Sequence, residues 1–168
     1  MIKYKPDTVS VVFSEVPDEV SLAIEITNCR GQCKGCHSPW LREDIGEELT
    51  VEKLNELIDN NYGITCVVFM GEGKDPEALK NLAFSVGLRS DRPLKTALYS
   101  GRNEVEEDYD RFFDYIKVGA FYPSRGPLNK ETTNQRLYKI ERIYGTDFAD
   151  GVVRTVRHDI TYKFWRNI

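Results

Sequence analysis

Long apolar runs are missing from this chain of 168 residues. With no stretch of about 18 apolar residues, no transmembrane helix is expected and no membrane partner. A cationic excess is missing too. The 23 Lys and Arg stand against 27 Asp and Glu, a net charge of −4, and that balance is unsuited to neutralising phosphates, so nucleic acid is not expected either. Cysteine is scarce at four residues, three of them crowded into Cys29–Cys36, which excludes the dispersed pairs of an extracellular disulfide framework. The N-terminus Met1-Ile2-Lys3-Tyr4-Lys5-Pro6-Asp7 carries charges with no apolar run behind them, so no secretory signal is expected and the cytoplasm is the expected location. Repeats, low-complexity segments and Pro/Gly/Ser-rich linkers are also absent. The expectation is one domain over residues 1–168, able to bury about 70% of its unfolded surface without a covalent staple.

What is there alternates strand and helix. Val9–Phe13 reads as an edge strand, and Val20–Ile26 alternates more cleanly up to Thr27-Asn28-Cys29. Thr50 is a candidate N-cap for a helix with Val51, Leu54, Leu57 and Ile58 on one face. The continuous run Ile64–Met70 suits a strand buried on both faces. Asp75-Pro76 then supplies a cap and a first-turn proline for a helix reaching about Leu88. A strand at Lys95–Tyr99, an acidic helical stretch at Glu104–Phe113 and a strand at Tyr115–Val118 follow. Beyond Gly126 the pattern weakens, with Val152–Val156 and Ile160–Trp165 as strand candidates that pair at an edge. The order predicts an α/β protein with a mainly parallel sheet and helices on its faces. Ligands of such sheets bind at the carboxyl ends of the strands. The cysteine loop, Gly71-Glu72-Gly73, Tyr99-Ser100-Gly101 and Gly119 all lie there, so they are expected to converge on one mouth.

The loop Cys29-Arg30-Gly31-Gln32-Cys33-Lys34-Gly35-Cys36-His37 has a C-x3-C-x2-C spacing. Gly31 and Gly35 argue against a helix and for a chain curled round a compact group. Thiolates select zinc or iron–sulfur clusters. A structural zinc site would recruit His37 or His158, yet adjacent Cys36 and His37 do not easily face one tetrahedral ion, and zinc modules normally draw ligands from two separated knuckles. A four-iron cube held by three cysteines leaves one iron open, a vacancy suited to the amino and carboxylate groups of S-adenosyl-L-methionine.

These residues carry a resemblance. The chain from about Val20 onward resembles the radical S-adenosylmethionine superfamily and, within it, the activating proteins of anaerobic ribonucleoside-triphosphate reductase, relatives of the pyruvate formate-lyase activases. The resemblance rests on the cysteine motif with Cys36-His37-Ser38-Pro39, Phe69-Met70-Gly71, Tyr99-Ser100-Gly101, Asp114–Gly119 and Thr132-Thr133-Asn134-Gln135-Arg136. It implies an incomplete radical-SAM barrel with outer helices. It also implies a [4Fe–4S] cluster on Cys29, Cys33 and Cys36, and reductive cleavage of S-adenosyl-L-methionine to a 5′-deoxyadenosyl radical. That radical would take a Cα hydrogen from a glycine of the reductase, with a low-potential donor such as flavodoxin or ferredoxin supplying the electron. The catalytic residues implied are the cluster ligands themselves.

The cofactor-binding candidates are Gly35, His37, Gly71, Glu72, Gly73, Ser100 and Lys117. The family usually has Gly-Gly-Asp or Gly-Gly-Glu after the second strand, whose carboxylate receives the methionyl ammonium. Met70-Gly71-Glu72-Gly73-Lys74-Asp75 departs from it, leaving Glu72 and Asp75 as alternatives. Gly71, lacking a Cβ, is expected to leave room for the ligand. His37 stands where the family places an aromatic near adenine, and the alternative is a loop residue whose ring does nothing. Ser100 is a turn residue or approaches the ribose or carboxylate. Lys117 is either an outward, solvated lysine or a carboxylate binder. Cys66 reads as an ordinary buried thiol. The acidic run Glu104, Glu106, Glu107, Asp108 and Asp110 and the basic set Arg154, Arg157, Lys163 and Arg166 read as solvated faces, with docking as the alternative. Two further readings stay open: a 7-carboxy-7-deazaguanine synthase-like radical enzyme, and a zinc-stabilised interaction module.

Overall fold

A computed structural model describes residues 1–146 and 151–165. Nine strands and two α-helices follow in the order β1 Lys3–Tyr4, β2 Ser10–Val12, β3 Ser21–Glu25, β4 Glu47–Glu48, α1 Val51–Asp59, β5 Cys66–Met70, α2 Pro76–Gly87, β6 Lys95–Tyr99, β7 Tyr115–Val118, β8 Arg136–Tyr144 and β9 Val152–Asp159. Seven of the strands form one sheet in the order β2-β3-β5-β6-β7-β8-β9, and β1 pairs with β4. The four central strands, β3, β5, β6 and β7, run parallel. The flanking strands β2, β8 and β9 are antiparallel to their neighbours. The protein is therefore α/β with a mixed sheet, parallel only at its centre. Among the described residues the outer strands β2 and β9 do not pair with each other, so the sheet is open.

The helices start where local chemistry tells them to. Thr50 accepts a hydrogen bond from the Lys53 amide at 3.1 Å, and Asp75 accepts one from the Ala78 amide at 3.1 Å with Pro76 in the first turn. Both helices lie on the same face of the sheet. Leu54 and Ile58 of α1 and Leu79, Leu82 and Val86 of α2 pack with Leu22, Ile24, Phe69, Leu98 and Ile116 of the central strands. Each such fully buried side chain contributes about 1.5–3 kcal/mol. The other face carries small residues, Ala23, Cys66, Val68 and Ala97, and is covered by Val16, Ile160 and Phe164 rather than by a helix. Among the described residues, α-helices do not cover both faces as the strand–helix alternation predicts.

Two further expectations change, and one strand is unexpected. The acidic stretch forms only a short 3-10 turn, Glu107–Arg111, and it is no uniform wet face. Asp110 is buried and ion-pairs with Arg157 of β9 at 2.7 Å, so an acid and a base read separately as solvated are one internal link. Ile160–Trp165 is not a strand: Thr161–Phe164 is a 3-10 turn whose neighbour Ile160 plugs the helix-free face. β8, the longest strand among the described residues, lies at Arg136–Tyr144, where exposed Lys139 and Glu141 flank buried Ile140 while Leu137 packs on the other face of the sheet. Arg166 lies outside the described residues.

Candidate functional site

Parallel pairing brings the carboxyl ends of β3, β5, β6 and β7 to one edge, and the loops that follow them meet there. Gly71 donates from its amide to the Tyr99 carbonyl at 3.0 Å, Ser100 to the Lys117 carbonyl at 2.8 Å, and Gly119 to the Arg102 carbonyl at 2.6 Å. The convergence expected of these loops is thus built from backbone hydrogen bonds that continue the sheet for one more residue. Between them lies a cavity of about 970 Å³ lined by Cys29, Cys33, Gly71, Glu72, Gly101 and Arg102, among others. That volume is at the upper end for a small-molecule site.

The cysteine loop leaves β3 through Asn28, whose positive φ of 61° reverses the chain, a conformation asparagine tolerates better than most residues. The Cys29 amide then donates to the Leu41 carbonyl at 2.8 Å, and Arg42 reaches back to the Cys33 carbonyl at 2.8 Å. Two glycines make the cradle. A Cβ on Gly31 would stand 3.3 Å from Cys29 Sγ and 3.9 Å from Cys33 Sγ, and one on Gly101 would stand 3.3 Å from Cys33 Sγ. Cys29 and Cys33 face the cavity; Cys36 is partly buried and does not line it. Among the described residues, no three His, Cys, Asp or Glu side chains converge on one point. The donor set nevertheless suits an iron–sulfur cluster: three free thiols on one short loop, with glycines where bulk would press on sulfur.

Gly35 has a φ of 77°, and a Cβ there would come within 2.7 Å of Pro123, so the loop is pressed onto the segment after β7. His37 packs against Phe121 of that segment with ring centroids 4.6 Å apart and planes tilted by 47°. Gly35 and His37 therefore fasten the loop from outside the cavity. Gly71 and Gly73 do line it, but their missing Cβ atoms point elsewhere. A Cβ on Gly71 would meet the Ile26 carbonyl at 3.2 Å, and one on Gly73 the Ile26 side chain at 3.0 Å. A side chain at either glycine would press on the segment that follows β3.

The two candidate carboxylates part company here. Asp75 caps α2 and pairs with the N-terminal ammonium of Met1, so both its oxygens are engaged away from the cysteines. Glu72 lines the cavity with its side chain 17% exposed. Ser100 Oγ and the Tyr109 hydroxyl (3.3 Å) donate to it, and Arg102 donates twice, from Nε at 3.0 Å and NH2 at 2.7 Å. Arg102 also makes two bonds to Glu106, at 2.9 and 2.8 Å, which hold the Glu106 carboxyl down at about 2. Burial, with the negative Glu72 second, pushes the Tyr109 hydroxyl up to about 12.

Lys117 is inward and 7% exposed, not solvated. Its ammonium donates to the carbonyls of Gly119 at 2.8 Å and Ser100 at 3.4 Å, beneath the turn that touches Cys33. Burial lowers its pKa to about 8, and the nearby Cys33 and Cys36 thiolates oppose that shift. Cys66 is fully buried on the helix-free face, and burial pushes its thiol up, so it is an inert packing residue.

Sequence reasoning missed Arg102 and Tyr109, and it read Glu106 as part of a solvated face. One signal was available: Arg102 sits two residues past Ser100 in a loop at the carboxyl edge, with Glu106 four residues on. No family model, no curated protein and no solved structure matches the chain. No helix among the described residues is long and apolar enough to cross a membrane.

Proposed function

We propose that this chain is an iron–sulfur activating enzyme of the radical S-adenosylmethionine kind whose substrate is a glycine of anaerobic ribonucleoside-triphosphate reductase. The observation that carries the reading is the shared cavity. A C-x3-C-x2-C loop and a carboxylate-bearing glycine loop face each other at the carboxyl edge of a parallel sheet centre. A [4Fe–4S] cluster held by Cys29, Cys33 and Cys36 and reduced by an external low-potential donor would supply the one electron needed for reductive cleavage of S-adenosylmethionine, the chemistry that would remove the glycine Cα hydrogen.

The chain's own residues have separate tasks. Cys29, Cys33 and Cys36 hold the cluster, and Gly31 and Gly101 leave the sulfurs of Cys29 and Cys33 room. Glu72 offers its carboxylate to the methionyl ammonium, because an ammonium taken from water needs an acceptor or a counter-charge. Lys117 sets a positive charge under the cysteine turn, where it offsets the anionic thiolates.

The test is anaerobic reconstitution. A brown protein with about four irons per chain, producing methionine and 5′-deoxyadenosine under reduction and a glycyl radical on the reductase, supports the reading. A colourless protein holding one zinc identifies an interaction module instead.

A further inference from the structure

A carboxylate offers about four acceptor positions, two on each oxygen. In Glu72 all four are filled from within the protein. Oε1 accepts from Ser100 Oγ and from Arg102 Nε at 3.0 Å; Oε2 accepts from Arg102 NH2 at 2.7 Å and from the Tyr109 hydroxyl at 3.3 Å. A cationic group entering the cavity finds Glu72 already neutralised and saturated, so it binds there only by displacing a donor.

The four donors are not equally fixed. Ser100 is buried at the carboxyl end of β6, where its Oγ also accepts the Arg102 amide at 3.0 Å, and the Tyr109 ring is buried in the core. The Arg102 side chain is 45% exposed. It is also the one donor with a second home. Its NH1 and NH2 reach the Glu106 carboxylate at 2.9 and 2.8 Å, four residues along, and Glu106 also lines the cavity. Arg102 can leave Glu72 and keep a bidentate carboxylate partner, so its charge is never stranded. The guanidinium lies 6.0 Å above the Tyr109 ring, a surface over which it can turn.

We infer that Arg102 is a built-in counter-cation of the cavity, which covers Glu72 until a ligand ammonium displaces it onto Glu106. The inference rests on the proposed function only in taking the ligand to carry an α-amino group. It adds that affinity is set by a competition between that ammonium and Arg102, with Glu106 as the receiving carboxylate. Ser100 and Tyr109 stay in place and hold Glu72 aimed at the cavity in both arrangements. Arg102 is thus a specificity-determining residue: a ligand lacking a cationic group gains nothing from Glu72, because it cannot replace the charge it would have to evict.

The test measures binding of S-adenosylmethionine to the cluster-loaded protein by anaerobic calorimetry, with iron content determined on the same samples. Arg102→Met is expected to tighten binding by about threefold or more, the scale of one partly exposed ion pair. Glu106→Gln is expected to weaken it similarly, since Arg102 then has only Glu72. The double variant should bind like Arg102→Met alone, a non-additivity that independent sites would not give. Iron content is expected to be unchanged in all three. Arg102→Met binding more weakly than the parent protein would show that Arg102 is a strut for Glu72 and overturn the exchange, as would additive effects in the double variant. Absence of binding by the parent protein overturns the proposed function, and the exchange with it; binding that all three substitutions leave untouched overturns the exchange alone.

Discussion

Across the cavity two loops face each other, and they are held by opposite means. The shelf formed by Gly71–Gly73 and Ser100–Arg102 continues the sheet through backbone hydrogen bonds, and its central carboxylate has every acceptor position filled. The cysteine loop is tied down mainly at its ends, by Cys29 to Leu41 and by His37 against Phe121, with Arg42 holding Cys33 in between. Its three thiols have no disulfide and no common point. The shelf is held by a continuous set of hydrogen bonds, whereas the cysteine loop has few along its length.

The largest effect expected from this contrast is at the thiols. Alanine at Cys29, Cys33 or Cys36 should abolish cluster retention and S-adenosylmethionine cleavage, while Cys66→Ala spares both; iron content and 5′-deoxyadenosine yield measure this. Full iron content in Cys33→Ala would mean that the loop is not the cluster site. On the shelf, Glu72→Gln should retain the cluster and weaken S-adenosylmethionine binding about tenfold, or about 1.4 kcal/mol, in a calorimetric titration. Gly71→Val should act on folding before binding. Its φ of 119° and the Ile26 carbonyl 3.2 Å from a Cβ impose strain of about 1–3 kcal/mol, read as a fall in urea midpoint.

Asp75→Ala sharpens the comparison between the two carboxylates. It removes a helix cap worth about 1 kcal/mol and should lower the thermal midpoint while leaving affinity unchanged. An affinity loss equal to that of Glu72→Gln would return Asp75 to the site. The smallest effect concerns pH. Burial holds Lys117 at about 8, below the ordinary 10.5, so between those values the unfolded chain binds more protons than the folded one. Stability gained from this residue therefore rises with pH over that interval and is flat below it. Wild type should gain on Lys117→Met as pH climbs from 8 toward 10.5, in urea titrations of the cluster-free protein. A constant difference would mean that Lys117 is not depressed.

Much of the frame was legible because its signals are local. The runs Ser21–Glu25, Cys66–Met70 and Tyr115–Val118, the Thr50 and Asp75 caps and the glycine stops are set by neighbours a few residues apart. Local signals also misled: the charged pattern of Arg136–Tyr144 hid the longest strand, and the apolar spacing of Ile160–Trp165 mimicked one. In the site, the cysteine spacing announced itself and the Gly71-Glu72-Gly73 turn was readable, but the choice between Glu72 and Asp75 was not.

The sequence by itself determined which segments are strands at the centre of the sheet, where the chain breaks between them, and that three thiols sit on one curled loop at a strand's carboxyl end. Propensity, capping and glycine φ are properties of a residue and its near neighbours, and they survive without the fold. Tertiary structure alone decided which charges find partners far along the chain. Arg157 found Asp110, Met1 found Asp75, and Lys117 turned inward to two carbonyls. Arg102 covered Glu72 from thirty residues away. Those pairings depend on which strands lie side by side, and a side chain's partner across the sheet leaves no period in the chain to read.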